Sequence, residues 1–312
     1  MEGTSNDRVA WTQMVAAAAA YAACYELTRH FSFSHWILPT GLRLACALLV
    51  PRRFWPALVI GETLPVLENA ALCIPRFGMV WGLLASTPLI APCMLLVTWI
   101  RRYAGIYRDS GEINMPMILF ATAGAAFITA VFTEAALLAA LASSPGNWPE
   151  IDPVAYFFAY LLGAYLGALT LTPTILALRE RFARTEQVSW SIAWTSPVAR
   201  ELVFGVLPVL LALRLGALST EGHLQQGLRL AMALPVVILT VRHGWRAAAV
   251  AGMVASIALA STSSTLMDPK IIQIQVVLAL VVSTALMAGV HVARRSTARD
   301  GVGVINADAD AL

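Results

Sequence analysis

Six ionisable side chains fall inside apolar stretches of this 312-residue chain: Glu26, Arg43, Glu62, Glu68, Glu134 and Arg214. Charge at membrane depth is expensive, so each needs a partner or a role. A lone carboxylate in apolar surroundings tends to hold a proton, whereas one beside an arginine stays ionised. Arg43 belongs to the hydrophobic segment before the hinge Pro51-Arg52-Arg53, and Glu62 and Glu68 belong to the segment after it. The hairpin from Ser34 to Asn69 therefore offers Arg43 two carboxylates. Six residues separate those two, so a straight helix would not put them on one face; Pro65 lies between them and can turn one toward the other. Glu134 sits in a run of small residues and can line the same interior. With Trp36 and Pro39 at the hairpin entrance, the candidate ligand or switch group is Arg43, Glu62, Glu68, Glu134, Trp36 and Pro39. Two chemistries suit it: an ion pair that locks a bundle, or a polar pocket for a small ligand or a proton-sensitive switch.

Residue patterns for covalent turnover are missing. The sequence has no Walker loop, no G-x-G-x-x-G after a strand, no G-x-S-x-G and no H-E-x-x-H. Cys24, Cys46, Cys73 and Cys93 lie in or beside apolar runs without zinc spacing and read as small packing residues. His30, His35, His223, His243 and His291 read as polar residues at span ends. No metal and no cofactor is expected. An embedded enzyme acting on lipid or peptide would have only Glu62 and Glu68 to work with, and neither has a His or Asp helper.

The elements that hold these residues are membrane helices. The chain is 59% hydrophobic and 12% charged, with a mean hydropathy of +0.73. A soluble domain carries about twice that charge. Net charge is only +3, and no basic stripe with aromatics points to nucleic acid. The expected fold is all-α: a polytopic helical bundle of about ten spans (eight to ten), near 9–27, 36–50, 54–72, 77–100, 115–142, 154–178, 201–218, 229–241, 246–262 and 271–292. The second is short and is expected to begin as re-entrant chain at Leu38-Pro39-Thr40-Gly41. Arg and Lys concentrate in alternate loops, which puts both termini in the cytoplasm. Trp11, Trp36, Trp55 and Trp148 suit interfacial positions, and Trp190 and Trp194 suggest an interfacial helix within Arg179 to Arg200. Gly163 and Gly167 form G-x-x-x-G, and Gly252 lies in a small-residue row with Ala248 and Ser256. Both rows suit close helix packing and leave a homo-oligomer contact open. The expected organisation is a cytoplasmic N-terminus at 1–8, a membrane domain at 9–292 and a disordered cytoplasmic tail at 293–312.

Several of these stretches carry a family resemblance. WILPTGLRL at 36–44, PRRFWPAL at 51–58 and Gly61-Glu62 resemble the first type of membrane-associated sensor (MASE) domain of bacterial histidine kinases and diguanylate cyclases. LLGAYLGALTLTP at 161–173, the Ala199-Arg200-Glu201-Leu202 entry and RHGWRAA at 242–248 add softer matches. Together they cover about 9–292. The resemblance implies a non-catalytic inner-membrane sensory module of about eight to ten helices. It would take a signal from the membrane, the periplasm or a partner transporter and pass it to a cytoplasmic kinase or cyclase. Two departures stand out: Ala164 occupies the place of the family's usual carboxylate, and no output domain follows Val292, so the expectation is a stand-alone sensor with a separate partner, with a fragment of a longer kinase or cyclase as the alternative. The competing expectation is a small-solute transporter or channel, suited by kinked spans and buried charge.

Overall fold

The computed structural model describes residues 3–32, 36–143, 148, 150–183, 196–262 and 268–309, with side chains described from 11 to 295. Among them the fold is helical and has no strand; an isolated bridge links Tyr107 and Ile113. The helices are α1 (Gly3–His30), α2 (Leu38–Leu49), α3 (Trp55–Phe77), α4 (Met79–Ala85), α5 (Ile90–Ile100), α6 (Met115–Ser143) and α7 (Pro153–Ala183). They continue with α8 (Pro197–Ser219), α9 (Gly222–His243), α10 (Trp245–Ala260) and α11 (Pro269–Ala309).

Six of these, α3, α6, α7, α8, α9 and α11, are long and apolar enough to cross a membrane. The α4–α5 pair makes a seventh if its 43° bend is one broken span. Six or seven is fewer than the eight to ten expected. Two of the missing spans are too short: α2 and α10 have 12 and 16 residues, about 18 and 24 Å at 1.5 Å per residue, against a hydrocarbon core of about 30 Å. Both are largely enclosed by protein, with ten of the twelve residues of α2 and eleven of the sixteen of α10 buried. Alanine-rich α1 is not among the candidates either.

The chain divides into two compact units, Met1–Ile106 with Phe120–Ala168, and Tyr107–Leu119 with Leu169–Leu312. In the first unit α1 packs on α3 and α2, and α2 packs on α5. Gly61 permits the α1–α3 contact: a Cβ there would stand 2.5 Å from the Ala18 carbonyl oxygen. The stretch expected to be re-entrant is instead the first turn of α2. Pro39 lies in that turn, where its missing N–H is no loss. Trp36, expected at the interface, is buried.

In the second unit α10 packs on both α9 and α11. Gly244 (φ 77°) makes the turn between α9 and α10. Gly252 faces Val282, 3.1 Å from where its Cβ would sit, and Gly289 comes close to the Trp245 backbone. Near its start α8 contains a π-helical segment, Leu202–Val206. The tryptophans at 190 and 194, and His35, lie outside the described residues. The boundary expected near 292 falls within α11.

Candidate functional site

Arg43 sits in the second turn of α2, and Glu62 sits about two turns into α3, just after Gly61. The close α1–α3 approach at Gly61 also brings Tyr21 of α1 to the same place. Arg43 Nε donates to Glu62 Oε1 at 2.9 Å, and the two side chains are only 5% and 0% exposed. Tyr21 Oη donates to Glu62 Oε2 at 2.8 Å. The Ile90 backbone N–H, the first of α5, donates to Glu62 Oε1 at 3.3 Å. Arg43 Nη2 donates to Tyr25 Oη at 3.2 Å, and the guanidinium carbon lies 5.4 Å from the Tyr25 ring centre.

A buried carboxylate with three donors, one of them a cation, is electrostatically satisfied. An isolated ion at that depth would not be. The cluster ties α1, α2, α3 and the start of α5 into one network. Two further bonds fix the α2 register. Arg101 donates through Nη2 to the Leu48 carbonyl near the α2 C-terminus, and Thr40 bonds Thr129 of α6 at 3.2 Å. Burial, followed by the nearby Arg52 charge, lowers the Arg101 pKa from its ordinary value.

A cavity of about 370 Å³ opens beside the cluster. Arg43 and Tyr25 form part of its wall, and Phe77, Trp81, Trp148 and Tyr160 line it together with aliphatic residues. Phe77 stacks on Trp148 at 5.5 Å and leans on Trp81 at 4.7 Å. The volume lies within the roughly 300–1,000 Å³ of small-molecule sites. An aromatic wall with one cationic corner suits a largely apolar ligand carrying acceptor oxygens.

Only part of the candidate group meets here. Glu68 is exposed on α3 and joins no ion pair among the described residues. Glu134 is elsewhere on α6, with both carboxylate oxygens shielded and no hydrogen-bond partner among the described residues. Glu26 pairs with Arg29 one turn along α1, partly exposed. Trp36 and Pro39 are buried at the entry to α2. Gly163 and Gly167 hold that entry: the Ile37 N–H donates to the Gly163 carbonyl at 2.9 Å, and a Cβ on Gly167 would overlap the Ile37 carbonyl oxygen. The G-x-x-x-G row of α7 thus packs against backbone within the same chain.

Sequence reasoning missed Tyr21 and Tyr25. Their signal was an i, i+4 pair of hydroxyl-bearing rings in an alanine-rich helix, which places both on one face. It also missed the polar ties of the second unit. Arg246 donates twice to Glu180 Oε2, at 2.6 and 2.9 Å. Glu201 lies 3.0 Å from Arg242 and 3.1 Å from His243 Nε2, the latter at ion-pair distance without hydrogen-bond alignment. Glu112 pairs with Arg294. At other positions Arg214 donates to Ser261 at 2.7 Å, and buried Arg229 donates to the Thr262 hydroxyl and carbonyl at 3.1 and 2.9 Å. Two stretches distant in sequence, 199–202 and 242–248, therefore meet through Glu201. Among the described residues no three His, Cys, Asp or Glu side chains gather as a metal site.

The family model for MASE1 matches residues 8–299, nearly the whole chain. No curated protein and no solved structure matches it.

Proposed function

The chain belongs to the MASE1 family of membrane-associated sensor domains, and from that premise we propose that it detects a ligand in the cavity beside Arg43 and passes the change to a cytoplasmic kinase or cyclase. The observation that carries this reading is the buried Arg43–Glu62 pair, which ties four helices together and whose arginine, with Tyr25, lines a cavity. A ligand with acceptor oxygens competes for the Arg43 guanidinium. Any bond it takes from Glu62 or Tyr25 shifts α2 against α1 and α3. Helix shifts of about 1–2 Å suffice for such switching. The role is non-catalytic, because the cluster has no nucleophile and no paired acid and base.

The output side follows from charge. The ion pairs Glu112–Arg294, Glu180–Arg246 and Glu201–Arg242 join the basic segments that the arginine distribution assigns to the cytoplasm. Arg229, which bonds Thr262 at the far end of α10, falls in a segment assigned to the opposite side. This pattern supports an inner-membrane protein with both termini cytoplasmic. The test pairs the chain with its output partner in cells and measures phosphotransfer or cyclic dinucleotide. Arg43→Gln and Glu62→Gln should change output at normal membrane levels, and unchanged output from both would make the pair merely architectural.

One observation favours a second reading, a small-solute transporter or channel. The α4–α5 break presents the Ile90 N–H, at a helix start, to a buried carboxylate. Transporters build substrate sites from broken helices in this way. Solute flux into vesicles holding the purified protein alone would establish that reading.

A further inference from the structure

The second unit carries a groove of about 650 Å³ between α8 and α9 that the sensory reading leaves unused. On α9 its wall is Pro235, Ile238, Leu239 and Arg242, at the i, i+3, i+4 and i+7 positions of one helical face. On α8 it is Arg200, Glu201, Phe204, Gly205 and Val209. The π-helical segment Leu202–Val206 lies in this wall, and a Cβ built on Gly205 meets nothing within 4 Å. The groove is amphipathic along its length. One end holds Arg200 and Arg242, and the remainder is apolar, with Phe204, Val209 and Ile238 exposed. Arg200 is exposed and has no ion-pair partner among the described residues, and Arg242 shares Glu201 with His243. Two arginines and one glutamate leave excess positive charge at the mouth.

We propose that this groove is a binding site for an anionic phospholipid, with the phosphate at Arg200 and Arg242 and an acyl chain along Phe204, Gly205 and Ile238. Arginine binds phosphate through paired N–H donors. Basic pockets between membrane helices hold anionic head groups, while apolar side chains below them match the acyl region. A soluble anion would use only the mouth and leave the exposed apolar length uncovered. Charge complementarity at one end and apolarity at the other select a molecule with both.

The test uses the purified full chain, delipidated in a neutral detergent. Retention of palmitoyl-oleoyl phosphatidylglycerol, of the matching phosphatidylcholine and of glycerol 3-phosphate is read by native mass spectrometry. Phosphatidylglycerol should be retained roughly tenfold over phosphatidylcholine, and glycerol 3-phosphate should not be retained. The double variant Arg200→Gln, Arg242→Gln should lose that preference. Gly205→Leu, which fills the open space and alters no charge, should lower phosphatidylglycerol retention independently. Equal retention of the two lipids, or full retention in both variants, overturns the assignment. So does retention of glycerol 3-phosphate alone, which would indicate a soluble-anion site, or a protein dimer lost in Gly205→Leu with no lipid preference, which would indicate a second copy in the groove.

Discussion

Replacing Glu62 by glutamine tests the central cluster most directly. The amide keeps the size and shape of the carboxylate. Its oxygen can occupy the Oε1 position and still accept from Arg43 and Ile90, and its NH2 can donate to the Tyr21 hydroxyl in place of the present acceptor role. The geometry therefore survives, and the change isolates charge. Arg43 is left as a buried cation with no counter-ion in the cluster. Breaking a buried pair this way costs about 3–5 kcal/mol. Tyr21→Phe removes one hydrogen bond to a charged group and costs less, about 1.5–3 kcal/mol. A third variant, Arg43→Met with Glu62→Leu, removes both charges and should recover part of the loss, since paired removal leaves no orphan ion. Recovery is incomplete because Tyr21 and the Ile90 N–H lose their acceptor, at about 1–3 kcal/mol each. The assay is unfolding in mixed micelles against added SDS, followed by far-UV circular dichroism. The expected order of stability is wild type, Tyr21→Phe, then Glu62→Gln, with the double variant above Glu62→Gln. A Glu62→Gln protein within about 1 kcal/mol of wild type, the range of exposed pairs, would refute the reasoning.

Three further outcomes follow from the packing and the surface. Gly61→Ala places a methyl 2.5 Å from the Ala18 carbonyl oxygen, so α1 and α3 must part; the SDS midpoint should fall by the equivalent of about 1–3 kcal/mol. Gly167→Ala meets the Ile37 carbonyl and should likewise destabilise, while a cysteine cross-linking experiment should find no change in oligomeric state. Glu180→Gln cuts a partly exposed pair with Arg246; its effect should stay within about 1 kcal/mol and vanish in high salt, as read by unfolding at two salt concentrations.

Charge in an apolar setting was the most legible feature of the sequence, and it led to the hairpin whose arginine and glutamate pair in the structure. Arg43 and Glu62 were identified as a candidate pair because neither has a cheap solution alone. The sequence could not choose between Glu62 and Glu68, because the choice rests on Gly61. That glycine brings α1 to α3 and leaves Glu68 on the outer face. Tyr21 and Tyr25 were hidden because tyrosine in an apolar helix is ordinary, and only the three-dimensional approach makes their hydroxyls partners. Span counting failed where hydropathy cannot distinguish lipid from protein. The residues of α2 and α10 are apolar and largely enclosed by protein, and their length, not their composition, keeps them out of the count of full-length spans. The π-helical turn at Leu202–Val206 leaves no mark in the composition.

The three ion pairs around the Gly244 turn and the Arg43–Glu62 pair differ in their access to dissolved ions. Arg242, Arg246 and Arg294 are 60%, 42% and 39% exposed in their side chains, while Arg43 is 5% exposed. Raising salt from physiological to molar shortens the screening length from about 8 to about 3 Å and weakens the exposed ties, leaving the enclosed one nearly untouched. Osmotic stress that concentrates the cell's electrolytes would therefore slacken one set of clasps on this protein and spare the other.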